Sequence, residues 1–367
     1  MKNYFYLLFV LPLFCFSQKI AKNFKSDILI QTSFLRGNIL RHSNKIDQLI
    51  TGHPEGIFIT FLKKSSRKKE WQKLYNDPDY GVYFLAQDFK NQYLGNNFSA
   101  GFLYQFYFLK RNLQLQTASG LAYNTNPYNK VNNSRNNAFG SKFMANITIG
   151  LQYKKEKIID NFGVQTGFLV THYSNGRFQS PNSGINTYNL NLGVNYVFSN
   201  TEKTATDTIK VSNKFNEKIK YSAYFRTGFN ESYIINSGKF PFYHISLYAD
   251  KRINKKSAIQ FGTELFLTTS FKEFIKYQSV AYPENNLNSD TDFKRVSLFV
   301  GHELFLGSVS LETQVGVYVY QPYKFDIPVY NRLGIKYYFN PKLFTGISFK
   351  THGFFAEALE LGIGCRL

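Results

Sequence analysis

The chain has 367 residues, 44 of them Lys or Arg against 24 Asp or Glu for a formal charge of +20, and 18% are aromatic. So many Phe (38) and Tyr (27) residues exclude a disordered chain, which has too little apolar surface to bury. With no uncharged apolar run of about 18 residues beyond the N-terminus, a helical membrane protein is excluded too, and the wealth of Phe, Tyr, Asn and Gly belongs to strands and turns. An all-β protein remains: either a large secreted one, or an outer-membrane barrel whose lipid-facing and lumen-facing residues cancel to a hydrophilic average.

The chain opens with a basic Met1-Lys2-Asn3, an apolar stretch from Tyr4 to Phe14, and Cys15-Phe16-Ser17 at the positions a signal peptidase reads. This predicts a signal peptide over 1–17 and a mature chain that begins at Gln18. The bulky Phe14 argues against Cys15 as a lipobox cysteine. Cleavage leaves Cys365 as the single thiol, so no intrachain disulfide is expected.

Sixteen segments of alternating character follow, separated by Asn, Gly, Pro, Asp or Lys clusters: 26–37, 55–64, 80–90, 95–109, 112–124, 139–154, 160–174, 185–199, 218–231, 241–252, 256–269, 293–306, 308–320, 328–339, 343–351 and 355–367. They suit the roughly 9 to 11 residues that a transmembrane strand needs. The pattern predicts an antiparallel outer-membrane β-barrel of about 14–16 strands, or 12 if some segments merge. Turns at Arg252–Lys255, Leu306-Gly307 and Asn340-Pro341 are tight, as periplasmic turns should be, while 125–138 and 270–292 read as long polar outer loops. Lys63–Lys69 and the polar linker 200–217 are exceptions, each a long periplasmic connection. One barrel over 18–367 is expected, with further strands in 201–367, since two smaller barrels would each have to close independently. Its last strand, from Glu360 to Leu367, suits recognition by the barrel assembly machinery.

Successive side chains of a strand point to opposite faces. In 162–174 the even positions Phe162, Val164, Phe168 and Val170 mark the lipid face, and in 185–199 Tyr188, Leu190, Leu192, Val194 and Tyr196 do the same. His172, Ser174 and Asn186 fall on those faces near the outer rim, where polar residues are costly unless they have a role. His172 and Ser174 lie two apart on one strand, about 6.5–7 Å at Cα, and a hairpin places Asn186 beside His172. This is the layout of an activated serine: Ser174 attacks, His172 takes its proton and Asn186 orients the imidazole. The loop from Asn175 to Ile185 offers an oxyanion hole from Asn175, Gly176 and Asn182, and Arg177 is placed to grip a lipid phosphate.

His172-Tyr173-Ser174-Asn175, followed by Pro181-Asn182-Ser183-Gly184-Ile185, resembles the signature of the outer-membrane lipid A deacylases, the acyloxyacyl hydrolase family of eight-stranded barrels. The resemblance implies a serine esterase that removes an ester-linked acyl chain from lipid A, with His172 and Ser174 as base and nucleophile and Asn175 and Asn182 in the oxyanion hole. It covers residues 172–186, and 200–367 have no counterpart in the small barrel. Asn186 departs from that family, which has Glu there, and is similar to the orienting residue of outer-membrane phospholipase A. That second resemblance implies dependence on Ca²⁺ and a homodimer. An amide in place of the carboxylate costs a serine protease about 10⁴ in turnover by favouring the wrong tautomer, yet an amide that presents its oxygen serves in Cys-His-Asn proteases.

Elsewhere, Arg41-His42-Ser43-Asn44 mimics part of the motif, but adjacent residues cannot share a strand face. His53, His244, His302 and His352 lack metal-ligand spacing, and Glu264, Glu303 and Glu312 are expected to face the lumen and pair with Lys and Arg. No nucleotide motif is present, so the basic surplus is assigned to lipid A phosphates and outer-membrane lipids rather than to nucleic acid. The expectation is a Gram-negative outer-membrane esterase acting on lipopolysaccharide without a cofactor. The alternatives are a phospholipase A and a porin-like barrel without catalysis.

Overall fold

The computed structural model describes residues 28–198, 215–353 and 355–367. The predicted signal peptide and most of the linker 200–217 lie outside the described residues. All sixteen predicted segments are strands: β1 (Ile28–Ile39), β2 (Glu55–Lys63), β3 (Asp79–Asp88), β4 (Asn96–Phe108), β5 (Leu113–Asn124), β6 (Phe143–Ile159), β7 (Phe162–Ser174), β8 (Ile185–Phe198), β9 (Lys220–Glu231), β10 (Lys239–Arg252), β11 (Ser257–Thr268), β12 (Arg295–Leu306), β13 (Val309–Tyr320), β14 (Val329–Tyr338), β15 (Leu343–His352) and β16 (Phe355–Arg366). Among the described residues two α-helices interrupt them, α1 (Glu70–Leu74) below the first barrel and α2 (Thr269–Ala281) above the second.

The strands do not form one barrel. β8 closes on β1 along all of β1, from Ile28↔Phe198 to Ile39↔Thr187, and β16 closes on β9, giving two eight-stranded barrels. The expectation of a single barrel is corrected here. A full-length ladder between β1 and β8 removes both sheet edges, leaving the first eight strands no edge on which to add a ninth. The longest connections, 125–142 and 269–294, lie at one end of their barrels; 64–78 is a long connection at the tight-turn end of the first, and β15 and β16 are joined by a short one at the loop end of the second. Outward-facing residues such as Phe102, Leu190, Leu192, Leu247 and Phe261 are exposed, forming the apolar belt expected against lipid.

Eight strands leave an interior just wide enough for side chains to fill, and the two chains of filling differ. In the first barrel, Gln105 donates to Gln31 and Gln116 (2.5 and 2.8 Å), and Tyr107 donates to Asp79 (2.7 Å). Above this polar waist Leu35, Leu85, Phe89, Phe139, Tyr173 and Ile185 form an apolar plug. The second lumen is ionic. Arg332 forks between Glu264 (2.7 and 2.9 Å) and Glu360 (2.7 and 2.9 Å), Arg226 binds Glu312 (2.9 Å), and Lys336 binds Glu303 (3.2 Å) and Glu312. Glu264, Glu303 and Glu312 thus face the lumen and pair as the sequence led us to expect.

The outer mouth of the second barrel is closed by α2, whose Phe271, Phe274 and Ile275 are buried. Phe274 meets Phe325 at 5.0 Å and Tyr233 at 5.1 Å. The predicted polar loop 270–292 therefore contains an amphipathic helix, with apolar residues spaced i, i+3, i+4.

With both lumens filled, the protein reconstituted in planar bilayers is expected to give no stepwise conductance; porin-sized steps would contradict this packing. Arg332→Met leaves Glu264 and Glu360 buried without their fork. It is expected to destabilise the second barrel by about 3–5 kcal/mol, read as a lowered urea midpoint in detergent.

Candidate active site

The β7–β8 hairpin follows directly from its alternation. Gln165, Thr171 and Tyr173 point inward and are buried, as are Thr187, Asn189 and Asn191 on β8, while Phe168, Val170, Leu190 and Leu192 are exposed to the lipid side. Tyr173 anchors the end of β7: its ring packs against Phe89 and Phe139, and its hydroxyl donates to Gln87 (2.8 Å). The neighbours of Tyr173 on either side, His172 and Ser174, consequently face outward at the loop end of the barrel.

His172 and Asn186 are direct cross-strand partners. The Asn186 Oδ1 lies 2.6 Å from His172 Nδ1. A carbonyl oxygen only accepts, so Nδ1 carries the proton and Nε2 presents a lone pair. The other end of the Asn186 amide, Nδ2, faces His42 Nδ1 at 3.4 Å. His42 Nε2 lies 3.1 Å from the Ser183 carbonyl oxygen and must donate to it, which leaves His42 Nδ1 free to accept from Asn186. The same Nδ1 is 3.3 Å from the Leu40 oxygen, a contact that this tautomer does not use. His42 belongs to the stretch that mimics the motif, and the fold brings it to the back of the orienting amide. Sequence spacing carried no sign of this, because 144 positions separate it from Asn186.

Ser174 is 4% exposed under the loop 175–184. Asn182 Nδ2 donates to its hydroxyl at 2.9 Å and the Gly176 N–H at 3.2 Å, so two donors converge on Oγ. Among the described residues, no hydrogen bond joins His172 to Ser174. They nevertheless share one wall: a Cβ on Gly184 would stand 3.4 Å from His172 Cε1 and 3.6 Å from Ser174 Cβ. Catalytic hydrogen bonds are often long without substrate. Gly184 has φ +69, so a side chain there meets strain as well as the two site residues.

Two predicted site residues have other partners in this arrangement. The Asn175 N–H donates to Asn182 Oδ1 (3.0 Å) and its Nδ2 to Ser141 Oγ (3.0 Å) and the Gln179 oxygen (2.7 Å), which braces the loop. Arg177, read as a phosphate ligand, is 6% exposed and its guanidinium lies 4.2 Å over the Tyr233 ring of the second barrel. Its charge acts on Asp326 in the loop after β13. Burial and the neighbouring Glu357 raise that carboxyl above the usual range, with Arg295 and Arg177 opposing the shift.

The loop 175–184 is also held from within its own barrel. Ser183 N and Gly184 N donate to the carbonyls of Asn137 (3.1 Å) and Ala138 (3.2 Å). That neighbouring loop is stapled by Asn133 and Asn136, both donating to the Tyr93 carbonyl.

Two groups of carboxylates and histidine come close in the second barrel, His244 with Glu264 and Glu360, and Asp326 with His352 and Glu357. Arg332 grips Glu264 and Glu360, and Arg295 and Lys350 grip Glu357. This is the chemistry of an ion-pair network rather than of a metal-ligand set.

Residues 56–195 match the family model described as lipid A 3-O-deacylase (PagL), and residues 219–367 match that of the acyloxyacyl hydrolase C-terminal domain. The chain belongs to the lipid A deacylase family. The two matched stretches fall on the two barrels: the lipid A 3-O-deacylase model covers the first, and 219–367, expected to have no counterpart in the small barrel, matches a separate C-terminal-domain model. Membership makes the protein an outer-membrane hydrolase of ester bonds. No match was found among curated proteins. Similar solved structures are a mutant porin of Rh. blastica (9% identity over 93% of this chain and 100% of that one, TM-score 0.20) and the outer membrane protein Omp33 of Acinetobacter baumannii (9% identity, 93% and 97%, TM-score 0.18).

In this lipid A deacylase-family chain, Asn186→Leu removes the one acceptor at His172 Nδ1 among the described residues. ¹⁵N NMR of His172 is expected to show mixed tautomers in that variant, while Asn186→Glu keeps the proton on Nδ1.

Proposed function

We propose that the protein removes an ester-linked acyl chain from lipid A in the outer leaflet, with Ser174 as nucleophile and His172 as general base. The observation that carries this reading is the His172–Asn186 pair, standing beside a serine on which the Gly176 N–H and the Asn182 amide converge. His172, Ser174 and Asn186 lie on the lipid-facing side of β7 and β8, at the rim where the loop that carries Gly176 and Asn182 begins. An ester reached from that side belongs to a lipid. The family model names lipid A and its 3-O position.

In this mechanism His172 Nε2 takes the Ser174 proton as Oγ attacks the ester carbonyl. The Gly176 N–H and Asn182 Nδ2, which bond Oγ before attack, turn to the oxyanion that forms on the former carbonyl oxygen. Collapse breaks the bond to the sugar oxygen, which receives the proton from His172. Water, deprotonated in turn by His172, then releases the fatty acid from Ser174. Asn186 stabilises the imidazolium less than a carboxylate would, but it holds the correct tautomer. No step calls for a cofactor. The filled lumens favour this reading over a porin.

Mass spectrometry of lipid A and phospholipids from cells with and without the protein is expected to show loss of a hydroxyacyl mass from lipid A. Lysophospholipid accumulation would favour the phospholipase reading. Ser174→Ala should abolish the change, and Asn182→Ala should lower turnover about 10²–10³-fold as loss of one oxyanion donor does. Full activity of Ser174→Ala would overturn the mechanism. A chelator is expected to leave activity unchanged, whereas Ca²⁺ dependence would again point to a phospholipase.

A further inference from the structure

The ladder between β9 and β16 spans only part of β9. It runs from Leu361↔Thr227 to Arg366↔Ser222, so the upper end of β9, through Glu231, has no ladder partner on β16. Asn230 Nδ2 donates to the Glu357 carbonyl there (3.3 Å), and at Glu231 the loop 175–184 of the first barrel meets the strand. Glu231 N donates to the Arg177 carbonyl at 3.1 Å, the Glu231 carboxylate accepts from Ser180 N, and Ser180 Oγ donates to the Ser232 carbonyl at 3.4 Å. On β10, the Lys239 ammonium lies 3.1 Å from the centre of the Phe178 ring.

Arg177 completes the contact. It is more than nine-tenths buried, and among the described residues none of its three guanidinium nitrogens has a hydrogen-bond partner. Its guanidinium is stacked on Tyr233, which is wedged against Phe274 (5.1 Å) and Phe325 (4.5 Å). Directly before Arg177 sits Gly176, whose N–H donates to the Ser174 hydroxyl. A Cβ on Gly176 would stand 2.8 Å from Leu359 Cβ of β16 and 3.0 Å from Leu359 N. The loop backbone therefore rests on the second barrel at the residue that supplies an oxyanion donor.

We propose that the second barrel acts in cis as a splint for the active-site loop, with Glu231 and Tyr233 as positioning residues that fix the Gly176 N–H in register with Ser174. This rests on the Ser174 mechanism above. A free loop would have to order its donors during each turnover, whereas the bond from Glu231 N to the Arg177 carbonyl and the hold of the Glu231 carboxylate on Ser180 N set them beforehand. The inference also gives the second barrel a role in the chemistry although it carries neither His172 nor Ser174.

The test is a kcat against KM measurement on lipid A in micelles with the full-length protein, in variants whose folding is checked by heat-modifiable migration. Glu231→Leu and Tyr233→Leu are each expected to lower kcat about 10–100-fold, part of the cost of losing an oxyanion donor, with KM within about twofold. Glu231→Gln, which keeps an acceptor for Ser180 N, should recover most of the rate. Should the strand variants fail to fold, Arg177→Asn removes the stacked cation from the loop side and tolerates the positive φ there; about a tenfold fall in kcat is expected, by the same loss of donor alignment. Glu70→Gln, at the opposite rim where Lys255 of the second barrel pairs with Glu70, should leave kcat unchanged. Unchanged kcat in folded Glu231→Leu and Tyr233→Leu, or a rise in KM alone, would overturn the splint while leaving the serine mechanism intact. An active Ser174→Ala would instead remove the mechanism on which it rests.

Discussion

Closure at eight strands constrains everything else in this molecule. A barrel of that size has no room inside for more than its own side chains, so a lipid cannot enter it and chemistry must be placed outside. On an outer wall bathed in lipid, polar residues are costly, and the few that occur there are informative. His172, Ser174 and Asn186 share that wall near one rim, and the loop above them reduces Ser174 to 4% exposure. The resulting site lies on the lipid-facing wall, with its serine covered by the loop.

The two barrels solve the filling of their lumens in different ways. Gln, Asn, Thr and Tyr dominate the waist of the first, whereas Arg, Lys, Glu and His pair in the second. Buried ion pairs are weak as a source of stability but costly to break. That makes the second barrel sensitive to change at Arg332 or Glu264 and fixes one arrangement of its inner wall. A rigid wall is what a neighbouring loop needs as a support. The aromatic group of Tyr233, Phe274 and Phe325 extends that rigidity to the outer rim, where Arg177 lies against it.

Much of this was legible in the sequence. Alternation located sixteen strands and assigned the faces of β7 and β8, and the pairing of His172 with Asn186 followed from a simple hairpin register. Alternation says which face a residue takes but not which strand closes the sheet, so the two-barrel division was missed. A signal for it existed in the inward positions, which change from amides and hydroxyls before the linker to Arg226, Glu264, Glu312 and Arg332 after it. Phe271, Phe274 and Ile275 likewise carried the helical spacing of α2 within a segment taken for a loop. Arg177 and His42 were different in kind. The burial of Arg177 depends on a second barrel beside the loop, and the contact of His42 with Asn186 depends on closure of β1 against β8. Neither has a local sign. Asn175 follows the family motif, yet its donors are committed within the loop, which only the folded geometry reveals.

The central claim is that a lipid-facing serine at the outer rim is chemically activated by the histidine two residues before it. Covalent trapping tests this most directly. The full-length protein in outer-membrane vesicles would be treated with a long-chain alkyl fluorophosphonate and its peptides sequenced by mass spectrometry. The account predicts a single phosphonyl adduct on Ser174 that disappears in His172→Ala. Labelling of another residue in its place, or an unlabelled Ser174 in the folded protein, would contradict it.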